Sequence, residues 1–188
     1  MQAVIAVLTD THRNMERVLT LMRFQLDSLR QQNHASAYLL LGNAIGYMYR
    51  YPNLVHHPVE DLICAKLAHK LPETSALCLR IREQHLTFTS AETALLKDIH
   101  VARDNEGRGW RGIQEQGVAY CVAHANHIRR EETELFPQAL RALKGADWDE
   151  IDAKYKSMAD PLFSEGELGR YDSLYDYLMS PKHNFDTH

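Results

Sequence analysis

Two stretches, His56-His57-Pro58-Val59-Glu60 and His127-Ile128-Arg129-Arg130-Glu131, decide how this chain folds. Each sets a histidine four residues ahead of a glutamate. On an α-helix that step turns the side chain by only ~40° and rises ~6 Å, so both members of a pair can grip one ion from one face. Each pair is then one wall of a site, and other helices have to supply the remaining walls.

The flanking sequence provides those helices. Leu8, His12, Met15, Leu19, Met22, Leu26 and Leu29 recur in steps of three and four from a helix expected to begin near Asp10, with His12 at a seam position. Cys78, Ile81, His85, Phe88, Glu92, Leu95 and Ile99 repeat the pattern, as do Ile113, Gly117, Tyr120, His124, His127, Glu131 and Leu135. A less regular stripe runs through Leu41, Ile45, Met48, Pro52, His56, Glu60, Ile63 and Leu67, where Pro52 and Pro58 should kink or interrupt it. Turns are expected at Gln32-Asn33, Leu71-Pro72-Glu73 and Asn105-Glu106-Gly107. Measured from these turns, the polar seam residues of adjacent helices differ in height by less than about one helical turn. The expectation is an all-α, up-down-up-down four-helix bundle over residues 1–145 with one polar layer. Residues 146–188 are expected to form a C-terminal helical extension of short helices around Trp148-Ile151-Tyr155 and Leu168-Tyr171-Leu174-Tyr175-Leu178, separated by Asp160-Pro161-Leu162-Phe163 and packed on the bundle.

Composition narrows the function. At 188 residues with 45% hydrophobic content the chain can bury a core without staples, so no metal is needed merely to fold it. No stretch approaches the roughly 20 apolar residues that span a bilayer, and the N-terminus lacks the basic start of a signal peptide, which points to the cytoplasm. Three scattered cysteines, Cys64, Cys78 and Cys121, read as reduced core thiols. A formal charge of -4, without a basic block beyond Arg129-Arg130, gives no footprint for nucleic acid.

The seam layer itself is costly unless its groups are paired or hold metal. Its imidazoles and carboxylates have no matching Lys or Arg on the same stripes, so two divalent or trivalent cations would balance it. Mixed nitrogen and oxygen donors suit iron, manganese or zinc, and the absence of thiolates argues against a structural zinc knot. His57 and Asp61 share the four-residue spacing but point about 100° away from His56 and Glu60, so they read as neighbouring or surface groups. Glu132 and Glu134 read as solvated, Tyr120 as a packed aromatic, and Glu92 lies about 10 Å along the axis from His85, too far for the same ion.

One histidine on the first helix, His-x-x-x-Glu on the second, one histidine on the third and His-x-x-x-Glu on the fourth resembles the hemerythrin-like (HHE cation-binding) family. Tyr51-Pro52-Asn53-Leu54-Val55-His56-His57-Pro58-Val59-Glu60-Asp61 and His127 through Glu131-Glu132 to Glu134-Leu135-Phe136-Pro137 are similar to its signature segments. The resemblance implies a non-haem di-iron centre, two iron ions rather than manganese or zinc, that binds or senses O2, peroxide or nitric oxide. Carried over by position, His12, His56, Glu60, His85, His127 and Glu131 take the ligand roles, with Glu60 and Glu131 bridging. The third helix departs from the respiratory carriers, whose His-x-x-x-His pair is absent because Ile81 and Thr89 flank His85. One metal is left a ligand short; His124 is the favoured donor or close neighbour, with Tyr120 the other candidate. A redox enzyme acting on peroxide or nitric oxide, and an iron-handling or interaction module with a protein partner or a homodimer, are the competing readings.

Overall fold

The computed structural model describes residues 2–29, 34–105 and 108–155. The expected turn at Gln32-Asn33, the Glu106-Gly107 part of the third turn, and the stretch from Asp160 through Leu178 lie outside these residues. Every element within them is helical and none is a strand. Helix α1 covers Ala3–Ser28, α2 His34–Tyr51, α3 His57–Lys70, α4 Ser75–Asp104, α5 Trp110–Arg130, α6 Phe136–Ala142 and α7 Gly145–Lys154. Helix α1 begins well before Asp10, because Val4, Ile5 and Leu8 are buried and extend its apolar stripe. Gly109, at φ 86°, supplies the left-handed residue from which α5 starts.

Neighbouring helices run in opposite directions. Asp61 meets His85 while Asn53, earlier in the chain, meets the later Glu92. Likewise Cys121 reaches the carbonyl of Leu19 while His12 meets Glu132. The four-helix bundle expected from the seams is thus closed by α1, α2 with α3, α4, and α5 with α6.

Two of the four walls are not plain α-helix. Pro52–His56 joins α2 to α3 and Glu131–Leu135 joins α5 to α6, each as one π-helical turn. In each the amide just past the turn reaches back five residues, His57 to Pro52 and Phe136 to Glu131. The reason is local: Pro58 and Pro137 come immediately after, lack an N–H and crowd the carbonyl four residues earlier, so the preceding turn widens instead of breaking. The interruption anticipated at Pro52 and Pro58 is a bulge that rotates α3 relative to α2.

The apolar core falls into two clusters. Met15 to Leu29, Ala37 to Val55, Leu95 to Ala102 and Tyr120 contribute to one; Val4, Leu8, Val59, Ile63, Ile81, Leu135 and Phe136 contribute to the other. Helix α7 adds Trp148 and Ile151 to the second and is tied to α3 by Lys66–Glu150 at 2.5 Å and by Lys70–Asp147. The height between the clusters is occupied by buried polar side chains. No helix among the described residues is long and apolar enough to cross a membrane.

Candidate metal centre

Helix α1 delivers His12, the first π turn and α3 deliver His56, His57 and Glu60, α4 delivers His85, and α5 with the second π turn delivers His124, His127 and Glu131. All are buried, with Glu60 and Glu131 at 0% exposure. No lysine or arginine among the described residues forms an ion pair with either carboxylate.

The two glutamates divide their oxygens between two groups of imidazoles. Glu60 Oε1 lies 3.3 Å from His12 Nε2 and 2.9 Å from His56 Nε2, whereas Glu60 Oε2 lies 3.6 Å from His85 Nε2. Glu131 mirrors this, with Oε2 at 3.5 Å from His12 Nε2 and Oε1 at 3.5 and 3.1 Å from His85 and His127 Nε2. Glu60 consequently belongs to two sets able to hold an ion, His12-His56-Glu60 and His57-Glu60-His85-His127.

The outer nitrogen of each ring is fixed from behind. His12 Nδ1 meets Glu132 at 3.0 Å, His56 Nδ1 meets Thr11 Oγ1 at 2.8 Å, His85 Nδ1 meets Asp61 at 3.1 Å and His127 Nδ1 meets Gln84 Oε1 at 3.2 Å. For His56 the tautomer is determined by its neighbour. The Thr11 hydroxyl donates to the carbonyl of Leu8 at 2.8 Å, so toward His56 it can only accept, and Nδ1 carries the proton. Gln84 Oε1 likewise accepts from Arg130 and from His127 Nδ1–H. Rings held in this way turn a lone pair on Nε2 inward, the arrangement by which groups behind a ligand orient it.

Inside the layer the groups lack partners of their own. Both oxygens of Glu60 and of Glu131, and Nε2 of His57, His85 and His127, meet nothing in hydrogen-bonding geometry among the described residues. Buried acceptors converging without donors fit a cation as the missing partner. Protons partly substitute for one. Burial alone would lower His12, but the Glu132 and Glu60 carboxylates beside it raise it to about 10. His85, opposed by burial in the same way, is raised to about 9 by Asp61 and Glu131. Burial opposes ionisation of Glu60 too, yet His56 and His12 hold it well below the usual carboxylate range.

His57 is the residue that sequence reasoning missed. It is 4% exposed, stacks on His85 with ring centres 3.9 Å apart, and gives Nδ1 to Asn53 at 3.2 Å while Nε2 faces the second set. The π turn ending at His56 carries it inward; an unbroken α-helix would have kept it about 100° from its neighbour. His124 is also buried, but it stacks on Phe88 at 4.4 Å and belongs to neither set, and both its nitrogens are unpartnered. Tyr120 donates to Glu92 Oε1 at 2.6 Å. Glu92 lies outside both sets; burial pushes it up to about 7 despite hydrogen bonds from Tyr120 and from Asn53 at 3.1 Å.

A four-walled helical bundle with a buried layer of histidines and glutamates able to hold cations defines the class of protein. The family model described as hemerythrin HHE cation binding domain matches residues 3–139, and the chain belongs to that family. No curated protein and no solved structure matches it.

Proposed function

We propose that this chain carries a non-haem di-iron centre, held by His12, His56, Glu60, His85, His127 and Glu131, that binds or senses O2 or a related oxidant such as peroxide or nitric oxide. The observation that carries the reading is the split of each carboxylate, one oxygen toward His12 and the other toward His85. Two ions sharing such bridges sit roughly 3.5–4 Å apart in two-metal centres. Nitrogen and oxygen donors with no thiolate suit iron, manganese or zinc alike, and iron is ranked first on membership of the hemerythrin HHE family. Iron bound there would supply redox chemistry and a coordination position for a small ligand.

The chain's own residues do the rest. Thr11, Asp61, Gln84 and Glu132 hold the imidazoles with Nε2 inward. His57 is the additional donor for the His85–His127 side, filling the place left by the absent fourth-residue histidine on α4. His124, with two unpartnered nitrogens and its ring centre 5.8 Å from that of His127, is the hydrogen-bonding group for the incoming molecule. Free thiols suit a reducing compartment, and we place the protein in the cytoplasm.

Iron analysis, optical spectra and anomalous scattering at the iron edge test the reading. The expected result is about two irons per chain, with scattering peaks between Glu60 and Glu131. A colourless protein that takes up no iron on anaerobic reconstitution overturns it.

A further inference from the structure

A cleft of about 570 Å³ lies between α2 and α4, lined in part by Gly42, Gly46, Arg50, Asn53, Thr89 and Leu96. Its inner residues touch the buried layer. Asn53 Oδ1 accepts from His57 Nδ1 at 3.2 Å, and Thr89 Oγ1 lies 2.9 Å from Asn53 Oδ1 and 3.1 Å from the carbonyl of His85. One amide side chain thus separates this open volume from an imidazole that faces the cluster.

The glycines show that the volume is kept open at a cost. Glycine is the poorest helix former after proline, yet Gly42 and Gly46 stand one turn apart inside α2. Close packing does not require them. A Cβ at Gly46 would meet nothing within 4 Å, and one at Gly42 would make only an ordinary contact with Ile99 at 3.9 Å. Gly117 is the contrast, since a Cβ there would lie 2.7 Å from Leu26. Side chains at 42 and 46 would project into space that is empty among the described residues.

The lining also selects what passes. Arg50 is exposed beside the opening and makes no ion pair among the described residues, which disfavours a cation. At the inner end Asn53 and Thr89 are neutral and already hydrogen-bonded, so an anion finds no counter-charge there. A volume of this kind suits a small uncharged molecule in transit.

Resting on the di-iron reading, we infer that the α2–α4 cleft is the entrance through which a small uncharged ligand reaches the His57 side of the centre, with Asn53 as its inner gate. Nitric oxide association with the ferrous protein, followed by stopped flow, tests this at constant iron content. Gly46→Leu should slow association by about tenfold or more, and Asn53→Ala should speed it. Where Gly46→Leu fails to fold, Gly46→Cys is folded first and then alkylated with a maleimide, and the rates before and after are compared. An association rate within about twofold of the unmodified protein, with iron bound and the cleft filled, overturns the inference and leaves the metal reading intact.

A second readout needs no metal. Diethyl pyrocarbonate, itself small and uncharged, should modify His57 in metal-free protein more slowly when the cleft is filled, with exposed His69 unchanged as the internal control. If the chain binds no iron the metal reading falls, and this comparison alone decides: slower modification of His57 supports the entrance and equal modification overturns it.

Discussion

Thr11→Val separates holding a histidine from merely filling space. Valine matches threonine in shape but deletes the oxygen that accepts the His56 Nδ1 proton at 2.8 Å, in a position 4% exposed. An orphaned buried donor costs about 1–3 kcal/mol when nothing else can take it. Here the metal-free protein has an escape. The His56 ring can move its proton to Nε2, which already lies 2.9 Å from both Glu60 Oε1 and His12 Nε2. Metal-free stability should therefore fall by less than that range, while any cation must first win the Nε2 lone pair back. Loss of an orienting partner of this kind typically weakens metal binding by about 10- to 100-fold. Competition with a calibrated chelator gives the affinity, urea melts in EDTA give the stability, and Thr11→Ser, which keeps the hydroxyl, should track the wild type in both. Equal metal affinity in Thr11→Val and wild type would refute the assignment of the His56 tautomer and its role.

Glu131→Gln removes a charge and the ability to offer an anionic oxygen to each side, so iron content after reconstitution should fall below about two per chain; retention of the full complement would argue against bridging. In metal-free protein, His12 and His85 are held above their ordinary value of 6.5, so their contribution is fully present below pH 6.5 and is lost as pH rises through about 9 and 10. Glu60 and Glu131, held below 4.5, contribute above that pH and lose it in acid, and Glu92, pushed up to about 7, adds to the decline on the alkaline side of 4.5. Urea melts in EDTA should place maximum stability between these limits, with a loss on the order of a few kcal/mol by pH 10; a flat profile from pH 6 to 10 would contradict the shifts. Gly46→Ala should raise stability by about 1 kcal/mol, or about 2–4 °C in Tm. Gly117→Ala should lower Tm, because overpacking against fully buried Leu26 costs about 1–3 kcal/mol and outweighs the same helical gain; equal shifts in the two variants would disprove the close approach of α1 and α5.

Much of this architecture is written in periodicity. Leu8, His12, Met15 and Leu19 fall on one seam because three- and four-residue steps have no other meaning on a helix, and His85 and His127 are placed by the same geometry. What the pattern could not convey is a change of phase. Pro58 announced an interruption, but a proline can kink, break or widen a helix, and only the widened turn brings His57 beside His85. Asp61, read from its spacing as a neighbouring or surface group, stands behind His85 Nδ1. Glu132 looked like a solvated acid because it is half-exposed, and its reach to His12 depends on how closely α1 and α5 approach. Thr11 and Gln84 are ordinary polar residues whose role exists only once a ring nitrogen stands before them. His124 lies on the same stripe and packs on Phe88; like Glu131 it stands outside both ion-holding sets.

The division of the apolar interior by a polar belt has a consequence for how the molecule melts. The two oily ends meet at Tyr155, which packs against both; otherwise they are joined by the unbroken rods α1 and α4 and by whatever neutralises the acids between them. With the belt cross-linked by cations, heating must disrupt both ends together, and calorimetry should record one sharp transition. Stripped of its ions, the belt becomes the weakest plane in the molecule, and each end can loosen at its own temperature while the other stays folded.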